Sequence, residues 1–544
     1  MNRHINFHGK VRRWNHNLTY RNMFSGDIGE LRPIYVEDGV PGDTLQYHPE
    51  ARIYFAPLVF PVLTSMKCCI DLFFVPHRLS WTEFENFITG GPDNNLSPAY
   101  PSFRNLYNSL GSGRQSQFRT AFTQAVCPDS NSDCWNSLLN NLGHPVIPDM
   151  LMSQAGTALQ DDPFDGQLSH DYNLIWDEYY RDEEKQASIT APGGVRMDVY
   201  DWFQNSTDAI NFQLKRIAWA KDYFTTASLE QQRGGDIPLL SNPMFKFVNG
   251  DSFNTSLDNI LLGGTTALFD SDNVATPGAI GSTNVDGDTS RLESVLTVNG
   301  LARLRAAAAW LNNNVIGGTR YIEQLRSRYR VVSSDARLQR PEMIGRIELP
   351  VSIDVVTQTS GATDDENVLA DRAGKAQIIA SGKTLTYSCE EFGYFIGILH
   401  ITPKPAYFQG MRRNLQKEDK FDFFMPEFVH VPQRDIRNNE IYCSMDALSP
   451  ENGGVFGYTG QYNELRHHND EVHGEFQNTL LAWTMARKFS SLPTADSEAF
   501  LTVDSDPDGN NRIFAAPEDG PHIFGVINNI AVFKRELVNR EPHF

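Results

Sequence analysis

Met66-Lys-Cys-Cys-Ile-Asp-Leu-Phe-Phe-Val-Pro-His-Arg-Leu-Ser-Trp81 is the stretch on which the reading of the fold turns. Met66 to Val75 is a continuous β run, apolar at almost every position. Such a run predicts a strand buried on both faces, as in the core of a sandwich. Cys68 and Cys69 then point to opposite faces. Asp71 would sit inside and needs a partner there, because an unpaired buried carboxylate is costly. After Pro76, Ser80-Trp-Thr-Glu83 has the spacing of a capping box and predicts a helix start. Trp81, Phe84, Phe87 and Ile88 would line one side of that helix, and Gly90-Gly91-Pro92 would end it.

Further strands are expected on either side. Glu30 to Pro41 is strand-like and stops at Pro41-Gly42. Arg52 to Leu63 is β-rich but holds Pro57 and Pro61, so an edge-like or bulged strand is expected. Downstream, Arg346 to Val356 reads as one strand. Phe392 to Thr402 is apolar on both sides, with Gly393 and Gly397 leaving room for a close neighbour. Ile523 to Phe533 reads as the final strand. Separate β runs, long insertions and no βαβ rhythm predict a mainly β protein, a sandwich with decorated loops.

Three segments depart from that pattern. Residues 1–26 carry Arg3, Lys10, Arg12, Arg13 and Arg21 and no acid, which reads either as a basic arm or as a soluble terminus. From Asp93 to Asp149 the chain is loop-rich, with a short helix expected over Trp135–Leu142. Tyr172–Glu183 follows as an amphipathic helix with its acids on a solvated face. Residues 249–293 hold seven acids against the single base Arg291 and are rich in Gly, Ser, Thr and Asn. Such a stretch in a compact chain is usually functional or disordered.

Val298–Asn312 has Leu301, Leu304, Ala308 and Leu311 at helical spacing. Gly317-Gly318 interrupts it, and Thr319 can cap a second helix with Ile322, Leu325 and Tyr329 on its apolar side. Between Arg303 and Arg340 stand eight Arg against Glu323 and Asp335, a local net of +6 in a chain of net −20. The apolar stripes must pack inward, so Arg303, Arg305, Arg320, Arg326, Arg328 and Arg330 are expected off the core. Guanidinium forks match phosphate oxygens with two donors. These residues, with Arg12 and Arg13 of the arm, are the candidate nucleic-acid contacts, and acids of neighbouring subunits are the alternative partners. Trp14, Tyr20 and Phe24 could stack on unpaired bases.

The chain has 544 residues, 40% of them hydrophobic, with a pI near 5.1. It can bury a large core, and its acidity argues against a body coated in nucleic acid while leaving room for one basic face. No apolar run approaches the ~18 residues of a membrane span. The first ten residues hold Arg3, His4, His8 and Lys10 and no apolar block, so no secretory signal is expected. Six cysteines at this length do not form a disulfide framework, and Cys127 and Cys134, the near pair, read as reduced.

Catalytic patterns fail on inspection. Ser381-Gly-Lys-Thr384 ends like a phosphate-binding loop, but position 377 is Gln where a Gly is required. His467, His468 and His473 lack metal-site spacing. Asp504-Ser-Asp-Pro-Asp-Gly509 matches the first half of a calcium loop, making Asp504, Asp506 and Asp508 candidate ligands, but position 12 of the loop is Ala515. No cofactor is expected, calcium alone being left open, and no enzyme activity.

Several of these stretches resemble, in order, the major capsid proteins of small single-stranded-DNA phages, the microviruses, and especially their gokushovirus-like branch. They are Phe73–Trp81, Tyr172–Glu183, Lys221–Ala227, Gly317–Gly345, Asp422–Phe428, Phe456–Tyr458, Val472–Phe476 and Ala486–Phe489. Ser228-Leu-Glu-Gln-Gln-Arg233 departs from the family's Pro/Trp-rich continuation. The resemblance runs from about Gly29 to the C-terminus and fails in 1–26, 93–149 and 249–293.

The resemblance implies an eight-stranded antiparallel jelly roll with long loop insertions containing several short helices. It implies a basic arm over 1–26 and one capsid domain over 27–544, with insertions at about 93–240 and 249–293, the latter a surface protrusion. The implied function is a T = 1 icosahedral shell of identical subunits around circular single-stranded DNA, made in the bacterial cytoplasm. Other virion proteins and a host-cell receptor reached through the protrusion are further implied partners, without membrane insertion. The rival is a β-sandwich carbohydrate-binding protein or carbohydrate-active enzyme, whose aromatic and acidic loops would look similar.

Overall fold

The computed structural model describes residues 13–92, 95–118, 137–145, 163–205, 212–231, 245–247, 269–270, 273–274, 285–287, 298–318, 320–357, 372–417, 420–429, 431, 433–444, 450–504, 506, 508–518 and 520–537. The chain divides into two compact units, residues 1–229 with 333–544, and residues 230–332.

In the first unit the principal strands are β1 (Trp14–Asn17), β2 (Tyr20–Gly26), β3 (Arg32–Gly39), β4 (Thr44–Phe55), β5 (Met66–Pro76), β6 (Glu342–Pro350), β7 (Ser352–Thr357), β8 (Arg372–Ser381), β9 (Leu385–Ser388), β10 (Gly393–Pro403), β11 (Gln433–Arg437), β12 (Val455–Gly460) and β13 (Ile523–Arg535). One antiparallel sheet runs β1-β13-β4-β8-β7, with β2 also on β13 and β9 also on β4. A second runs β6-β5-β10-β3, also antiparallel. The protein is mainly β, with short helices in the connections, as the sequence predicts.

The sheets share one core. Burial alternates along β4 and β13, so each gives one face to the interior, whereas β5 is buried at every position but Lys67. Rings meet between the sheets: Tyr35 on Tyr47 at 4.7 Å and Phe395 on Phe533 at 5.8 Å. Asn529 also ties them, accepting from the Tyr47 hydroxyl at 2.8 Å and donating to the Ile34 carbonyl at 2.9 Å. Buried amides so satisfied fix the registration of the layers. A Cβ at Gly397 would stand 2.9 Å from Tyr35 Cβ, and one at Gly393 2.3 Å from the Val75 carbonyl oxygen. Both glycines therefore serve close approach, as expected.

Several readings change. Arg346–Val356 is two strands: β6 ends at Pro350, and the chain crosses to the other sheet as β7. β4 is central, flanked by β13 and by β8 and β9; it ends at Phe55, so Pro57 and Pro61 lie beyond it. Pro49, which has no N–H to give, falls where β8 stops and β9 begins, and its carbonyl accepts from Gly382. The capping box at Ser80 does not form. Ser80 ends helix α1 (His77–Ser80), its hydroxyl accepts from Gln167 Nε2 at 2.7 Å, and α2 (Phe84–Thr89) starts behind Glu83.

A further change concerns the terminus. From Trp14 onward it is strand, β1 and β2 lying against β13. Tyr20 stacks on Tyr35 at 6.0 Å, and Phe24 packs on the core under Arg32. Tyr20 and Phe24 thus support the sandwich rather than standing free for bases. Arg12 and the residues before it lie outside the described residues.

Between β5 and β6 come α3 (Phe103–Ser109), α4 (Leu138–Asn141), α5 (Gln167–Ile175) and α6 (Val199–Asn205). Phe103, Leu106, Leu139, Trp202, Phe203 and their neighbours form a satellite core. The helix expected over Trp135–Leu142 is the single turn of α4, and Cys127 and Cys134 lie outside the described residues. α5 begins earlier than Tyr172, is buried at every residue and passes into a π turn over Trp176–Tyr180. It is a core helix, not an amphipathic surface helix. Asp177, whose charge the sequence assigns to solvent, accepts from Thr190 N at 2.6 Å and lies 3.1 Å from Arg181 Nε.

Candidate nucleic-acid interface

In the second unit α7 (Val298–Gly317) and α8 (Tyr321–Tyr329) carry the arginines. Leu304, Ala308 and Leu311 are half-buried along α7, while Arg303 and Arg305 are exposed. The expected helix exists and runs on through Gly317. A Cβ there would come 2.7 Å from Ser327 Cβ, so a glycine lets the two helices close on one another. Gly318 follows at φ +84°, a turn that glycine adopts freely.

α8 is capped by Arg320 and Glu323, the backbone N–H of Arg320 donating to Glu323 Oε2 at 3.2 Å. Thr319 is outside the described residues. Ile322 and Leu325 are half-buried, but Tyr329, expected with them, is 71% exposed.

The six arginines split by environment. Arg320 is held near its own helix start, its Nη1 3.7 Å from Glu323. Arg328 lies across the hairpin, 5.0 Å over the Trp310 ring, and donates to Gln324, to Asn314 and to the Trp310 carbonyl. It holds the two helices together. Arg303, Arg305, Arg326 and Arg330 are exposed, with no acid at ion-pair distance among the described residues. Arg330 stands at φ 57°, a left-handed C-cap that ends α8. Tyr321 and Tyr329 are also exposed, at 70% and 71%. Four free guanidinium groups and two exposed rings thus share one short hairpin. Arg13, in the first unit, is exposed and lies against Gly42.

Asp504, Asp506 and Asp508 do not gather into a metal cluster, and no such cluster of His, Cys, Asp or Glu occurs among the described residues. Asp504 instead closes the turn, accepting from Asn510 Nδ2 at 2.9 Å, and burial raises its carboxyl pKa. The backbone carbonyl of Asp506 accepts from Gly509 and Asn511. Arg512 donates to four carbonyls around this turn, and burial pushes it down to about 10.

Asp71 does have its partners. It is fully buried on β5 and takes 2.7 Å hydrogen bonds from Arg346 Nε and Nη2 on β6 and from the Tyr180 hydroxyl. His400 Nε2 on β10 is 3.4 Å away. Burial drives the carboxyl pKa up, but Arg346 and His400 outweigh it and leave it well below the usual carboxylate range. This is a structural ion pair joining three strands and the π turn.

A surface that composition did not reveal lies at 411–431. Phe421, Phe423, Phe424 and Phe428 are 51%, 53%, 54% and 37% exposed, and Leu415 is 71% exposed. Lys417 sits 4.1 Å from the Phe423 ring centroid and Lys420 5.0 Å from that of Phe421. Contiguous exposed rings rimmed by charge mark contact surfaces. Asp422–Phe428 is one of the stretches that carry the family resemblance, and nothing in its sequence marks these rings as exposed.

A sequence model of the Capsid protein (F protein) family matches residues 6–105 and 165–543. The chain belongs to that family. It is 27% identical to capsid protein VP1 of Chlamydia phage 1, covering 92% of this chain and 90% of the relative. It is 26% identical to capsid protein VP1 of Bdellovibrio phage phiMH2K, over 94% and 91%. Capsid protein VP1 of Spiroplasma virus 4 is 20% identical over 88% and 86%. The protein is therefore a structural, non-enzymatic capsid protein of the gokushovirus type, a component of a virion. The carbohydrate-active alternative falls with that membership. Among the described residues no helix is long and apolar enough to cross a membrane.

Proposed function

We propose that the first unit is an eight-stranded jelly roll and that the chain assembles, through its loops, into a T = 1 icosahedral shell around circular single-stranded DNA. The observation that carries this reading is the strand order. Taking β2, β3, β4, β5, β6, β8, β10 and β13 as the eight strands, one sheet reads first-eighth-third-sixth and the other second-seventh-fourth-fifth. Consecutive strands then change sheets at every step but one, β5 to β6, as two interlocked Greek keys require. β1 continues β2 along the same edge, β9 continues β8, and β7 adds an edge. Family membership in capsid proteins supports the same assignment.

The exposed Phe421–Phe428 patch suits contact with a second copy, because apolar area removed from water drives association. The free arginines of α7 and α8, with Arg12 and Arg13, suit contact with packaged DNA. The acidic insertion 249–293, most of it outside the described residues, suits an outward protrusion used in host attachment. Other virion proteins are expected at the loops, and assembly is expected in the bacterial cytoplasm. Electron microscopy of the purified protein tests the central claim. Uniform small spherical particles are expected, and a protein that stays monomeric under all assembly conditions overturns it.

A further inference from the structure

The outer face of the β1-β13-β4-β8-β7 sheet carries side chains that the shell reading does not use. Along β4 the odd-numbered residues from Leu45 to Phe55 turn inward, leaving Gln46, Glu50, Arg52 and Tyr54 outside. Along β13, Ile523, Ile527, Asn529, Ala531 and Phe533 are inward and Phe524 is outside. Tyr54 and Phe524 are register partners across the two central strands, 46% and 47% exposed. The next row is Met23, Val526, Arg52 and Ile379 on four adjacent strands, Met23 and Ile379 being 76% and 60% exposed. The row after that holds Arg21, Asn528, Glu50 and Ser381.

This face is also charged against the trend of the chain. Its strand residues include the bases Arg21, Arg52, Lys375 and Lys534 and the acids Glu50 and Asp354, a basic surplus in a protein of net −20. An exposed sheet face with two rings at register positions on neighbouring strands, a flanking guanidinium and side-chain amides is chemically suited to unpaired bases. Rings accept any base face without reading sequence, and guanidinium groups serve both phosphates and ring stacking. Duplex DNA offers no unstacked base to such rings.

We infer that this sheet face is a second contact surface for unpaired single-stranded DNA, with bases stacked on Tyr54 and Phe524 and phosphates held by Arg52 and Arg21. The inference rests on the shell reading and adds to the arginine hairpin a surface on the sandwich itself. It commits to a nucleic acid; a second copy of the chain, whose acidic surface would also complement this face, is the competing occupant and an outcome of the test.

Two measurements decide it. Ultraviolet crosslinking of DNA within wild-type particles, read by mass spectrometry, is expected to place nucleotides on Tyr54 or Phe524. Unassembled subunits carrying Tyr54→Leu and Phe524→Leu are expected to bind a thirty-nucleotide oligothymidine about tenfold more weakly than wild type, the scale of losing base stacking. Their melting temperature should stay at the wild-type value; if it does not, Arg52→Gln is the variant read, with a shallower salt dependence of binding. Unchanged oligothymidine binding in the folded variant overturns the inference, as do crosslinks confined to other elements. Folded variant subunits that no longer form empty shells overturn it in favour of the second copy. Should the wild-type chain form no particles, the shell reading fails by itself and the oligothymidine measurement still reports on this face.

Discussion

Asp71 on β5 and Arg346 on β6 are register partners, and two 2.7 Å hydrogen bonds join the carboxylate to the guanidinium side-on. The carboxylate is fully buried while the Arg346 side chain is 44% exposed. Removing the arginine strands a buried charge, which costs about 3–5 kcal/mol where both partners are enclosed. Solvent reaches this guanidinium, so Arg346→Gln should cost less, about 2–3 kcal/mol. Denaturant unfolding of the subunit measures it. The depressed pKa of Asp71 means that its stabilising effect is present from neutrality down through ordinary acid pH and is lost only below the normal carboxylate range. A variant as stable as wild type would show the pair to be dispensable.

Asp171 on α5 has the opposite environment. It is fully buried beside His170, whose Nδ1 is 3.9 Å from its carboxyl. Burial pushes the carboxyl up to about 6 from its ordinary 3.8, against the pull of His170, with nearby Asp165 raising it further. A raised carboxyl favours the protonated folded state, so its contribution is full below about pH 4 and declines as pH rises toward 6. Asp171→Asn should flatten that dependence and stabilise the subunit at pH 7.5 by about 2 kcal/mol, with little gain at pH 4. Melting temperatures at the two pH values check both halves; equal gains at both would show the effect is not titration.

How much of this was legible in the sequence depends on where each partner sits. β5 and β13 are readable because one is a continuous apolar run and the other alternates apolar with polar positions. α5 is not, because Gln167, Ser169, His170, Asp171 and Asn173 are polar yet wholly buried, and nothing local distinguishes them from a wet face. β1 and β2 look like a loose basic tail because their partner, β13, lies at the other end of the chain. Arg303, Arg305, Arg326 and Arg330 fall where helical periodicity puts them, off the apolar stripes. Arg328 does not, since Trp310 and Asn314 reach it only once Gly317-Gly318 folds the hairpin.

The exposed rings at 421–428 should matter for assembly and little for folding. Phe423→Ser with Phe424→Ser removes two half-exposed rings, so subunit stability should change by less than about 1 kcal/mol. Shell formation, followed by light scattering, should require a severalfold higher subunit concentration. Normal assembly together with a large loss of stability would assign the rings to the core.

The acidic insertion should be separable from the shell. Joining Gly250 to Ser294 removes a segment rich in Gly, Ser, Thr, Asn and acids. Loop shortening changes closure entropy only slightly. Particles should still form, while adsorption to host cells should fall at least tenfold in a binding assay. A subunit that no longer folds after the deletion would make the segment part of the core.

The arginine hairpin offers the sharpest division between nucleic-acid and protein contact. Arg320 and Arg328 are committed to Glu323 and to the Trp310–Asn314 turn, so replacing them confounds binding with helix packing. Arg326 and Arg330 are exposed and hold no acid among the described residues. Arg326→Gln with Arg330→Gln keeps side-chain length and polarity and removes two charges from a helix end that tolerates them. If these groups neutralise phosphates, empty shells should form at the wild-type yield, with less DNA retained. Each lost phosphate contact should also lower the slope of log affinity against log salt by about 0.7, the single-strand value, so the double variant should lose roughly 1.4. If they instead clamp the acidic surface of a neighbouring subunit, empty shells themselves should fail. DNA content and shell yield, measured on the same preparations across a salt series, separate the two, because only subunit clamping lowers the yield of shells that contain no DNA.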